Sequence, residues 1–124
     1  MSRNIIFVAI GGMFGSVLRY LLSTFIVQVL PFPFPFGTFV VNLVGCFVMG
    51  AAVGYADRNL WFNDEWRILI TAGFCGGFTT FSAFAFENVS LLCDKNYLTF
   101  AAYVFSSLVF GIAAALLGFI LTKS

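Results

Sequence analysis

Apolar residues run along this chain in four long stretches, with breaks that differ in kind. The first runs from Ile5 to Leu30 and is interrupted by Arg19. It ends at Pro31-Phe32-Pro33-Phe34-Pro35-Phe36-Gly37, where alternating prolines cannot continue a helix and predict an extended or turning segment at a membrane edge. The second runs from Thr38 to Ala56, and a charged stretch, Asp57 to Arg67, follows it. That stretch carries Trp61 and Trp66, whose indoles favour the headgroup level. The third begins at Ile68, passes Glu87 and reaches Cys93. After the turn Asp94-Lys95-Asn96 the fourth occupies Leu98 to Thr122. Each run supplies the roughly 20 residues that a bilayer requires. Only helices and closed barrels satisfy the backbone in lipid, and runs this continuous are helices. The pattern therefore predicts an all-α, polytopic membrane protein: a single transmembrane domain over residues 1–124, with spans at about 5–30, 38–56, 68–93 and 98–122.

Composition supports this reading. The chain is 61% hydrophobic and 9% charged over 124 residues, with a mean hydropathy of +1.04. A soluble domain carries about 25% charged residues, and no chain of this length could hide so much apolar surface from water. The net charge of +1 gives no case for nucleic acid. The three cysteines, Cys46, Cys75 and Cys93, lie far apart in or beside apolar runs and read as small packing residues, not as a disulfide frame or zinc site. Arg3 ahead of an apolar stretch is the pattern of a signal peptide. No small-x-small site clearly follows, and Arg19-Tyr20-Leu21 leads on into more apolar sequence, so an uncleaved first span is expected. Arg3, Arg58, Arg67 and Lys123 fall on the side that holds both termini, against Lys95 on the other. This leans towards termini inside, but the bias is modest and leaves orientation open.

Small residues recur at i, i+4: Gly11 and Gly15, Gly50 and Gly54, Gly73 and Gly77, Gly111 and Ala115. Such pairs allow close helix approach, within one chain or between chains. Four helices leave little room for a solute path, which favours an oligomer if anything is transported.

Polar residues inside the spans are the functional suspects. Arg19 either snorkels to the interface or turns a positive charge inward. Asn42 either bonds a neighbouring helix or offers its two amide donors to an anion. Glu87 marks an interface or a site. Tyr103, Ser106 and Ser107 return to backbone carbonyls or, as a group, line a polar track. No acid occurs in the first or second span, which argues against a proton-coupled exporter of cations. No nucleophile–base pair, metal cluster or phosphate loop suggests an enzyme.

The most unusual stretch is Gly76-Gly77-Phe78-Thr79-Thr80-Phe81-Ser82-Ala83-Phe84. Glycine weakens a helix by about 1 kcal/mol relative to alanine. Threonine hydroxyls compete for backbone hydrogen bonds. Together they predict a broken third helix, whose freed carbonyls must meet protein donors, water or a cation. Phe81 and Phe84, at i, i+3, share a face. Among 18 phenylalanines most are packing, but a ring edge in a dry site attracts an anion.

Three segments, Gly11 to Tyr20, Gly37 to Asn42 and Gly73 to Phe84, resemble the Fluc/CrcB fluoride channels in order and spacing, and the likeness covers nearly the whole chain. The resemblance implies a passive fluoride-selective channel of the bacterial inner membrane that exports fluoride from the cytoplasm. It further implies an antiparallel homodimer of dual topology with two pores. Phe81, Phe84 and Asn42 would line the fluoride pore, with Tyr103 and Ser107 on its fourth-helix side and Arg19 near the vestibule. Gly76 and Thr79 would give carbonyls to a structural Na+ central to the dimer. Ala83 stands where the family usually has a hydroxyl residue, and Ser16 and Phe39 replace the usual alanine and leucine. The alternative reading is a small multidrug-type proton-coupled exporter.

Overall fold

The computed structural model describes residues 2–31, 34–59 and 64–123. Trp61 and the Phe32-Pro33 step lie outside them. Among the described residues there are four helical spans. The first is α1 (Ser2–Val29) and the second α2 (Phe36–Arg58). The third is built in pieces: α3 (Asp64–Ile68), a π-helical stretch (Leu69–Cys75), α4 (Gly76–Phe78) and α5 (Phe81–Cys93). The fourth is α6 (Tyr97–Lys123). All four are long and apolar enough to cross a membrane. The helices extend past the apolar runs at several ends because helix geometry does not stop where hydropathy does: Asp64, Glu65 and Arg67 fit the polar first turns of the third span.

The outer surface is apolar. Leu98 is 84% exposed and Ile112 69%, whereas Val41 and Tyr103 are fully buried. This inverts a soluble protein and is what lipid as solvent requires.

Glycines set the helix pairing. A Cβ on Gly11 would lie 2.7 Å from the Phe74 nitrogen, and one on Gly15 would lie 2.8 Å from that of Phe78, so α1 packs backbone-to-backbone along the first half of the third span. Since 11 meets 74 and 15 meets 78, the two run parallel. On the other side, a Cβ on Gly50 would run into the Ala115 carbonyl and one on Gly118 would lie 2.9 Å from the Ala51 nitrogen. Spans two and four are therefore also parallel. Three of the four small-residue pairs in the sequence supply these contacts within one chain, while Gly111 is looser, its nearest neighbour being Cys46 Sγ at 3.7 Å.

The turn into α6 closes as a Schellman motif. The Asn96 N–H donates to the Leu91 carbonyl and the Lys95 N–H to that of Leu92. Lys95 takes the left-handed position, φ 60°, that such a turn demands.

Candidate functional site

The third span is broken where the sequence predicts, and its two threonines divide the work. Thr79 leaves the helix with ψ 155°, and Thr80 is also extended, at φ −149° and ψ 116°. Thr79 finishes the upstream helix: its N–H and its hydroxyl both donate to the Cys75 carbonyl, at 2.9 Å and 2.7 Å. Its methyl packs against Gly45. Thr80 starts the downstream helix as an N-cap, its hydroxyl accepting from the Ala83 N–H at 3.3 Å.

Two groups freed by the break find side chains from other spans. The Thr80 N–H, which in an unbroken helix would bond the Gly76 carbonyl, donates to Asn42 Oδ1 at 3.1 Å. The Gly77 carbonyl accepts from Arg19 Nε at 3.1 Å. Arg19 therefore turns inward, onto the carbonyl end of the helix, where a cation is also favoured by the dipole. Because a backbone N–H can only donate, the Asn42 amide is fixed with its oxygen at the break. That leaves its NH2 group as the part available to a ligand.

Asn42 borders a cavity of about 360 Å³. Thr79, Thr80, Phe81, Phe84 and Ser107 line the same space, with Phe39 and Met49 among its apolar wall. The Phe81 and Phe84 ring centroids are 5.8 Å apart and tilted by 40°. Phe84 in turn leans on Tyr103 at 4.9 Å, and Tyr103 meets the Phe34 ring edge-on at 5.3 Å. Of the predicted site residues, Asn42, Thr79, Phe81, Phe84 and Ser107 thus converge on one space. Tyr103 stands behind Phe84, Arg19 reaches the break from α1, and Gly76 is not among the residues lining the cavity.

The adjacent glycines of the break do different things. A Cβ on Gly77 would lie 2.6 Å from the Gly12 carbonyl, so Gly77 serves packing. A Cβ on Gly76 would meet nothing within 4 Å, so that side of the break is open.

Glu87 is more than an interface marker. It is half-buried, and both carboxylate oxygens are engaged: Oε2 accepts from Thr38 Oγ1 and Oε1 from the Tyr103 hydroxyl, each at 3.1 Å. Thr38 opens α2 beside the proline segment, so this cluster ties three spans together near one end of the cavity. The sequence carried one signal for it: Glu87 is at i+3 from Phe84 and so shares its face. Tyr103 is engaged by Glu87, while Ser106 does take the local option, its hydroxyl returning to the Tyr103 carbonyl at 3.4 Å. Asn88, beside Glu87, is buried, donates to the Phe84 carbonyl at 3.0 Å, and leaves its own oxygen without a partner.

A four-span, all-helical membrane protein, broken in its third span beside an aromatic-walled cavity, is the class these features define. The chain belongs to the CrcB-like family (Camphor Resistance, CrcB), whose profile matches residues 6–119. It is 47% identical over 123 residues to a protein of Azobacteroides pseudotrichonymphae named fluoride-specific ion channel FluC, covering 99% of this chain and 98% of that one. A protein of the same name from Bacteroides fragilis is 45% identical over 120 residues, covering 94% of this chain and 93% of the other. One from Leptospira interrogans is 39% identical over 123 residues, covering 99% and 97%.

Proposed function

We propose that this chain is a passive, fluoride-selective ion channel of the bacterial inner membrane, exporting fluoride from the cytoplasm, and not an enzyme. One observation carries the reading: at the break, Asn42 is locked by the Thr80 N–H in a cavity it shares with Phe81 and Phe84. A small anion gives up strong hydration only to real donors. The Asn42 NH2 and the Ser107 hydroxyl supply donors, and the ring edges add weaker attraction without a base to trap a proton. The names borne by the relatives support the same ion. The small multidrug-type exporter is not favoured, since the apolar runs 5–30 and 38–56 contain no acid and Asp57 lies only in the last turn of α2.

The working unit in this reading is an antiparallel homodimer with two pores, inserted in both orientations. Phe81 lines the cavity yet is 79% exposed on the single chain, which supports a second copy completing the wall. The reading includes a structural Na+ shared by the two subunits. Sodium is a hard cation that takes oxygen ligands. The residues fit it: Asn42 draws the Thr80 N–H away from the Gly76 carbonyl, and the open side at Gly76 leaves room. The carbonyls of Gly76 and Thr79 would hold the ion, which would supply positive charge beside the anion path. Arg19 adds charge on the other side of the break.

Purified protein in liposomes is expected to release fluoride to a fluoride electrode while chloride stays trapped; equal chloride flux overturns the selectivity. Phe81→Ile or Phe84→Ile is expected to cut fluoride flux strongly while dimers persist on size-exclusion chromatography. Unchanged flux in both would remove the rings from the mechanism.

A further inference from the structure

Three sulfur-bearing side chains line the same cavity, and their sulfur atoms take no part in the hydrogen bonds of the break or in the donor set proposed for the anion. Cys46 and Met49 sit at i, i+3 on α2 and so occupy one face of one turn. Cys75 closes the π-helical stretch of the third span. Its thiol donates to the Gly45 carbonyl at 3.7 Å, which brings it against the α2 turn that begins beside Cys46 and ends at Met49. Cys46, Met49 and Cys75 all line the 360 Å³ cavity. Cys75 is buried to 1% exposure and Cys46 is half-buried.

We propose that Cys46, Met49 and Cys75 form a binding site for a soft, thiophilic monovalent cation of the Cu(I)/Ag(I) class. Thiolate and thioether sulfur select such ions over hard ones, because both partners are polarisable. Zinc is a poorer match: the described residues hold no group of three or more His, Cys, Asp and Glu that could complete a tetrahedral shell. Charge also favours a monovalent ion. The cation forms a metal–sulfur bond to one cysteine, whose S–H bond breaks and whose proton leaves to water. The unit is then neutral, as an apolar cavity demands. The second cysteine and the Met49 thioether complete the shell as neutral donors, with no electron transferred. The site is independent of which anion the cavity passes.

Silver is the probe, since it stays Ag(I) in air. Cys93 is exposed and would take silver by itself, so the test uses the full chain carrying Cys93→Ser, purified in detergent and nitrate buffer without chloride. After exposure to Ag+ and desalting, elemental analysis should find about one silver per chain. The added double substitution Cys46→Ala and Cys75→Ala should lower retention at least tenfold, and Met49→Leu should weaken it less. Equal retention by the double variant, or no retention by the Cys93→Ser chain, overturns the proposal. Should the double variant misfold, X-ray absorption at the silver edge on the Cys93→Ser chain decides the matter. A first shell of two or more sulfurs supports the site, and a shell of one sulfur or of nitrogen and oxygen refutes it.

Discussion

Replacing Asn42 tests whether one amide both holds the break and faces the ion. In Asn42→Ala the Thr80 N–H loses its acceptor. That group lies at mid-span, where lipid offers no substitute. A buried donor left unsatisfied costs about 1–3 kcal/mol, which is roughly a 5- to 150-fold change in a local opening equilibrium. Hydrogen exchange read by mass spectrometry on a peptide covering the break should show protection at Thr80 falling within that range. Peptides from the second half of α6 should be little changed, because its packing rests on Gly50, Gly54 and Gly118, away from the break. Asn42→Asp separates the two roles. A carboxylate still accepts from the Thr80 N–H, so protection at the break should be largely kept. The two amide donors are gone, and a negative charge faces the cavity, so fluoride flux should collapse. Unchanged protection in Asn42→Ala would show that the bond does not hold the break. Normal flux in Asn42→Asp would show that the amide donors do not serve the anion.

Other expectations follow from separate parts of the fold. Gly50→Val drives a side chain into the Ala115 backbone; overpacking costs about 1–3 kcal/mol or more, so the variant should melt earlier in micelles, whereas Gly111→Ala, with 3.7 Å of room to Cys46 Sγ, should not. Tyr103→Phe removes one of the two donors on Glu87 and should lower stability by about 1–3 kcal/mol in chemical denaturation; if Thr38→Val on top of it adds its full single-mutant cost, the two donors do not act as one cluster. Lys95→Gly relieves a left-handed backbone position at φ 60° and should raise stability by about 1 kcal/mol; a loss would mean that the lysine side chain matters more than its backbone.

Much of the architecture is legible from hydropathy and local chemistry alone. Four runs long enough to cross a bilayer can only be helices, because the backbone must satisfy itself there. The Gly76 to Phe84 stretch announces its break through residues that weaken a helix locally, so no distant partner is needed to see it. The i, i+4 glycines likewise mark where backbones touch. What these features could not say was which helix each would meet. For Asn42 the sequence left open a bond to a neighbouring helix or donation to an anion, and the fold commits its oxygen to a backbone N–H thirty-eight positions away. Arg19 could have snorkelled, and instead it binds the Gly77 carbonyl. Glu87 gained its meaning only from Thr38 and Tyr103 on other spans, and the sulfur residues gained theirs from the Cys75 contact with α2. Periodicity and propensity are short-range properties of a chain, so they fix the spans and the break. Pairing a freed backbone group with a side chain depends on how the helices are brought together, and only the folded structure decides it.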